Sequence, residues 1–437
     1  MAVCVRTSVP GPKSQALLLA EQNYLAPGIQ QISTLAGIAV AGGDGALIED
    51  VDGNRFLDWV AGIGVASIGH GHKALAQALS QQAASIVATS FASPARLELL
   101  ARIVEHAPHP SLNRVQLYSS GAEAVESALR LARAATGHSE VLAFWGGFHG
   151  KTLGVLGLMG SEWKHGLLPV VPGQHLAPYG DCRSCALRLS PDSCRMACID
   201  FLRDQIRLST ANRLAAIVVE PIQGTAGNVV PHPSFLPALA QVAHEHGALL
   251  VVDEMITGFG RTGDLWASTA AGVVPDIVTF GKGVAAGFPL SGLITRPELA
   301  ASRPWADPSH SSSSFGGNPL ACAAANATTR IIIDENLSEN ARRVGERLFA
   351  KLTELHARFG CLSGLRGRGL MLGFDLVSDG KLWPKDRCLA LFRACLSRGL
   401  LTMAYTPRVR INPPLVLSLA QADESIQIFA DALASVA

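Results

Sequence analysis

"NRVQLYSSGAEAVESALRLARAAT", residues 113–136, carries two patterns in succession. "NRVQLYSS" reads as a short strand, and "AEAVESALRLARAAT" reads as an amphipathic helix. Outward from it the same alternation continues. "EVLAFW" (140–145) and "AAIVVE" (215–220) read as strands, and "PSFLPALAQVAHEHG" (233–247) as a helix closed by a C-cap glycine. Strands "ALLVVD" (248–253) and "DIVTF" (276–280) follow. Strands alternating with helices predict an α/β fold with a mainly parallel sheet covered on both faces.

Beyond about residue 320 the pattern changes. "PLACAAANATTRIII" and "SENARRVGERLFAKLTELHARF" read as helices, "GLMLGFDLV" as a strand, and two further helices are expected near 386–398 and from 419. This predicts a smaller α+β domain over 326–437, after a large domain over 61–325. The segment 1–60 holds "GALIEDVDGNRFLDWV", two strands around an Asp-Gly turn, and is expected to pack with the C-terminal domain.

The 437 residues are 48% hydrophobic and 16% charged, with a formal net charge of +1. These values fit a compact folded chain and give no electrostatic case for nucleic acid or a membrane surface. The longest apolar runs are too short to span a bilayer. Residues 1–15 have no apolar core of signal-peptide length, so the expected compartment is the cytoplasm. Nine cysteines, an odd number, favour reduced thiols over a disulfide framework.

In parallel α/β sheets ligands bind beyond the carboxyl ends of the strands. The expected strands end in Ser119-Ser120-Gly121, in Trp145 to His149, in Glu220, in Asp253-Glu254 and in Gly281-Lys282. A Ser-Ser-Gly turn at a helix start presents free N–H groups to a phosphate; its ordinary alternative is a Ser-capped turn. Lys282 ends a buried strand, where lost hydration makes the nucleophilic neutral amine easier to reach; a lone lysine otherwise snorkels to water. Asp253 suits a protonated ring nitrogen, or simply caps the turn after it. Phe148 and His149 suit stacking and orientation of a planar ring, or an ordinary core.

Together, "YSSGAEAVESALRLAR", "FWGGFHGKTLG", "VVEPIQG", "VVDEMITGFGRTG", "TFGKGVAAGFPLSG", "SFGGNPLACAAA" and "VRINPPL" resemble the class III aminotransferases, over residues 40 to 420 and in that family's order. The resemblance implies a fold type I enzyme that uses pyridoxal 5'-phosphate. It implies Lys282 as the Schiff-base lysine and proton shuttle, and Asp253 as partner of the pyridinium. Phe148 and Met255 would hold the two ring faces, and Ser120, Gly121 and Ala122 the phosphate. His149, Glu220 and Ile256 join the cofactor set, as do Ser314 and Phe315, whose loop would serve the neighbouring subunit of a homodimer or of a tetramer. Arg410 would grip a substrate carboxylate, with Arg408 as fallback. Ile256, Thr225 and Ile63 stand where ornithine- and 4-aminobutyrate-type enzymes often carry Gln, Glu and Tyr, which leaves the donor open.

The implied activity is transfer of an amino group from an ω-amino acid, diamino acid or amine to 2-oxoglutarate or pyruvate. A racemase or epimerase and a decarboxylating aminotransferase are the alternatives within the family. Cys182, Cys185, Cys194 and Cys198 are spaced as C-x2-C and C-x3-C. The reading is no metal, with zinc or an iron–sulfur cluster on these four as the alternative.

Overall fold

The computed structural model describes residues 2–167, 169–211 and 213–436. The chain forms two compact units. One holds residues 1–76, 261–263 and 331–437, and the other holds 77–260 and 264–330.

The second unit is built on seven strands: β1 (Arg114–Tyr118), β2 (Glu140–Phe144), β3 (Gln174–Ala177), β4 (Leu214–Val219), β5 (Leu249–Asp253), β6 (Ile277–Phe280) and β7 (Ser291–Thr295). Their order is β1-β7-β6-β5-β4-β2-β3. Only β7 runs antiparallel to its neighbours; the other pairings are parallel. The sheet is therefore mainly parallel, and its class is α/β. The strands β3 and β7 have no counterpart in the sequence reading. "QHLA" has only four residues, and "SGLIT" begins with Ser-Gly just after a Gly- and Pro-bearing stretch, so neither shows a strand period.

The alternation along each strand feeds two cores. Leu142, Phe144, Ile217, Val219, Leu250 and Val252 pack with helices α2 (Ala197–Ser209) and α3 (Phe235–Glu245). Val141, Ala143, Ala216, Val218 and Val251 pack with helix α1 (Gly121–Thr136). Neighbours in sequence thus point to opposite faces, as the pleat requires. Each buried side chain of Leu or Phe size contributes about 1.5–3 kcal/mol.

In the first unit, strands Val40–Asp44, Leu47–Asp50 and Arg55–Asp58 join Leu400–Leu401 in one sheet. The last pairing is parallel, Leu400 with Leu57 and Leu401 with Asp58, and ties the two ends of the chain together. The carboxylate of Asp50 accepts from the N–H groups of Asp52 and Asn54 at 2.9 and 2.8 Å, which fixes the turn between two of these strands. A second sheet holds Leu362–Arg368, Met371–Ser378, Lys381–Leu382 and Arg408–Ile411, with helices Leu337–Phe359, Lys385–Leu396 and Leu419–Ala434 in the same unit.

The unit boundaries fall at 76/77 and 330/331, where the sequence reading put 60/61 and 325/326. The later one lies inside the helix Pro319–Asp334, so no break in pattern marks it. Arg261–Gly263 also crosses to the first unit, where the Arg261 guanidinium donates to the carbonyl of Leu370 at 3.0 Å.

Candidate active site

At the start of α1, a helix leaves four N–H groups without intrahelical acceptors. Ser120 is the N-cap, and its hydroxyl accepts from Glu123 N at 3.3 Å. The Glu123 carboxylate reaches back to the N–H groups of Ser119 and Ser120 at 3.0 and 2.8 Å. That box satisfies the flanking donors and leaves the N–H groups of Gly121 and Ala122 with no partner among the described residues. The hydroxyl of Ser119 is buried and likewise unpartnered there. Two free amides, a free hydroxyl and the positive end of a sixteen-residue helix suit a phosphate group.

The loop after β2 packs on this turn. Gly150 adopts φ +128, and a methyl group there would stand 2.7 Å from Ala122 Cβ. Phe148 N donates to Glu220 Oε1 at 2.9 Å, and Gly224 N to Glu220 Oε2 at 3.0 Å. Glu220, at the end of β4, thus pins the Phe148 backbone.

Asp253 ends β5 and is 2% exposed. Its Oδ1 accepts from Met255 N at 3.0 Å and from the Thr279 hydroxyl at 3.1 Å. Its Oδ2 lies 2.8 Å from His149 Nδ1, a pair buried on both sides. A carboxylate offers roughly four lone-pair sites. Three are occupied, which leaves room for one cationic N–H donor.

Burial, the largest influence, pushes the His149 imidazole down; the hydrogen bond to Asp253 and the charges of Asp253 and Glu220 outweigh it, and its pKa lies above the ordinary value. Burial likewise pushes the Glu220 carboxyl up, with His149 and the N–H groups of Gly224 and Phe148 offsetting part of the rise. A protonated His149 is the form this arrangement favours.

Lys282 follows β6 at the start of a short 3-10 turn, half-buried, with φ 44. A non-glycine residue in that region costs on the order of 1–3 kcal/mol, and such strain gathers at functional sites. Met255 ties this turn to the helix start. A methyl group at Gly281 would collide with Met255 Sδ, and one at Gly121 would stand 3.0 Å from the same atom. The Ser291 hydroxyl, from β7, donates to the Ser120 carbonyl at 2.6 Å.

The ends of β1, β2, β4, β5 and β6 are therefore joined by direct contacts. Ser120, Gly121, Ala122, Phe148, His149, Glu220, Asp253, Met255 and Lys282 sit on them, and Ile256 is buried next to Met255. Ser314 is exposed and Phe315 is 67% exposed. The adjoining Ser313 hydroxyl donates to Glu123 at 3.3 Å. Ile63 and Arg410 belong to the first unit. Ile63 packs against the cluster that holds Phe56, Val60 and Phe392, in a left-handed turn with φ 66. Arg410 is half-buried opposite Gly373 in its sheet, and Arg408 is exposed.

Thr279 and Ser291 are the polar contacts the sequence reading did not single out. A lone Thr in "IVTF" was the available signal for the first; nothing local marked the second.

The four clustered cysteines are half-exposed and free of disulfides. Burial, then the charges of Cys182 and Cys194, push the Cys198 thiol up to about 11. Among the described residues no group of three or more His, Cys, Asp or Glu side chains is arranged to hold a metal ion. No helix among them is long and apolar enough to cross a membrane.

Comparison with known proteins gives the family. The family model Aminotransferase class-III matches residues 30–433. The chain is 34% identical to an alanine/serine racemase of Pyrococcus horikoshii, over 97% of this chain and 91% of that protein. It is 35% identical to an acetylornithine aminotransferase of Methanopyrus kandleri, over 91% of this chain and 94% of that one. The crystal structure of an amine transaminase from an uncultivated Pseudomonas species, in a PLP-bound internal aldimine form, superposes with a TM-score of 0.88 at 30% identity, covering 95% of this chain and 99% of that chain. The chain belongs to the class III aminotransferases.

Proposed function

We propose that this enzyme, a pyridoxal-phosphate-dependent aminotransferase of fold type I, takes its amino group from an ω-amino acid, a diamino acid or an amine and gives it to 2-oxoglutarate or pyruvate. The observation that carries the site assignment is the position of Met255. Its sulfur abuts both Gly121 and Gly281, so the free N–H groups of the helix start and the Lys282 turn flank one side chain that adjoins Asp253.

When bound, pyridoxal phosphate supplies a carbonyl that captures amines and a protonated ring that takes up electrons as a neighbouring C–H bond breaks. Gly121 N, Ala122 N and the Ser119 hydroxyl bind its phosphate. Asp253 keeps the proton on its ring nitrogen, and His149 holds the Asp253 carboxylate in place. Phe148 and Met255 offer apolar surfaces to the ring. Lys282 Nζ would hold the cofactor through its carbonyl carbon. As a neutral amine, Lys282 Nζ would move a proton between the donor carbon and the cofactor's carbonyl carbon. Arg410 binds the carboxylate of the oxo acid; this assignment rests on the "VRINPPL" motif.

The working form is a homodimer, or a tetramer built from it, in the cytoplasm. The exposure of Ser314 and Phe315 in the single chain supports a dimer whose partner covers that loop.

The similarity to an alanine/serine racemase favours one second reading, proton transfer without nitrogen transfer. A single experiment separates them. Donor amine is added to the loaded enzyme without an acceptor, across a screen of donors, and the cofactor spectrum is recorded. Full conversion of the carbonyl form to the amine form is expected. Retention of the carbonyl form with loss of the substrate's optical activity would replace transamination by racemisation. In Lys282→Ala, both turnover and the resting visible band are expected to vanish; full activity in that variant overturns the assignment.

A further inference from the structure

The backbone of Phe148 is pinned by Glu220, and its neighbour His149 by Asp253. Neither bond fixes the tilt of the Phe148 ring, because the terminal torsion of a phenylalanine is broad. A second aromatic side chain packs against that ring. The ring of Trp163 meets that of Phe148 edge to face, with centroids 6.0 Å apart and planes at 83°. Lys151, in the same "FHGKT" loop, places Nζ 5.1 Å from the centre of the Trp163 ring.

Trp163 lies in the short turn Glu162–Lys164 and is 56% exposed. Half-exposed, it gains little from core burial, so packing alone does not account for its place. What it does have is directional. The positive edge of one ring seeks the negative face of the other, and a cation seeks the face of an indole. The three side chains form a short stack that leads from solvent, through Lys151 and Trp163, to Phe148.

We propose that Trp163, steadied by Lys151, is a positioning residue that sets the tilt of the Phe148 ring and so the surface on which the cofactor ring lies. This rests on the reading of Phe148 given above. Trp163 itself acts only through Phe148.

The test uses the full-length apoprotein, titrated with pyridoxal phosphate and followed by visible absorbance and by circular dichroism of the bound cofactor. Trp163→Ala is expected to raise Kd about three- to ten-fold, the range of an aromatic pair, and to weaken the visible dichroic band. Trp163→Phe keeps an edge to present and restores both. Lys151→Met keeps the aliphatic stem, removes the charge, and shifts Kd in the same direction by less. Melting of the three apoproteins stays at the parent value, as a merely structural role would not allow. Parent-like Kd and dichroism in Trp163→Ala overturn the inference, as does a loss that tracks lowered apoprotein melting. Parent protein that takes up no pyridoxal phosphate sinks the functional reading first, and this inference with it.

Discussion

Replacing Asp253 by Asn separates the structural and chemical duties of one carboxylate. Oδ1 of the asparagine still accepts from Met255 N and Thr279, bonds of 3.0 and 3.1 Å in the parent. Its new NH2 faces His149 Nδ1, which can accept once the imidazole is neutral. The exchange remakes each bond at neutral charge, so the expected cost in stability is about 1 kcal/mol. Asp253→Ala instead removes the acceptor of Met255 N, of the Thr279 hydroxyl and of His149, at roughly 1–3 kcal/mol for each buried donor left unpaired. Catalysis should divide differently. With Asp253 proposed to face the ring nitrogen, loss of its charge removes a preorganised electrostatic partner, and kcat is expected to fall about 100- to 1,000-fold in Asp253→Asn, a loss of roughly 2.7–4 kcal/mol. The assay pairs denaturant unfolding of the apoproteins with single-turnover kinetics.

NMR of His149 adds an independent check. Its raised pKa belongs to the folded state. The stability it contributes is therefore full below the unfolded value of about 6.5 and is lost as pH rises through the folded value. In Asp253→Asn that dependence should disappear and the imidazole should titrate lower. An Asp253→Asn enzyme with activity within about three-fold of the parent, or with His149 still titrating high, refutes the reasoning.

Three further outcomes are expected. Gly281→Ala forces its new methyl against Met255 Sδ and should cost about 1–3 kcal/mol and weaken cofactor binding; Met255→Ala in the same chain should recover most of it, and additive effects in the double variant would count against the contact. Arg410→Ala should raise KM for oxo acids far more than for amines without a carboxylate, and an equal effect on both removes its role. With its thiol pushed up to about 11, Cys198 should alkylate slowly at neutral pH and about ten-fold faster per pH unit until that value is approached; mass spectrometry of iodoacetamide adducts reads the rate, and fast labelling at pH 7 contradicts the environment described.

Much of this site was legible because its parts are local. The Ser-Ser-Gly turn that opens a helix lies within one short window, and Lys282 and Asp253 close apolar runs whose direction the α/β alternation already implies. The strand "SGLIT" was not legible. Its pairing with β1 and β6 is supplied by residues far along the chain, and a glycine at its second position hides its period.

The sequence by itself determined five of the seven strands of the mainly parallel sheet, the residues that end those five, and the family. Those are properties of short windows, where periodicity and capping act within a few residues. Only the tertiary structure decided that Thr279 shares Asp253 Oδ1 with Met255 N, that Met255 separates Gly121 from Gly281, and that Arg261–Gly263 folds with the chain ends. Those depend on register between neighbouring strands and on contacts across more than a hundred residues. Such contacts are set by how two buried faces close on each other, and no local pattern encodes that.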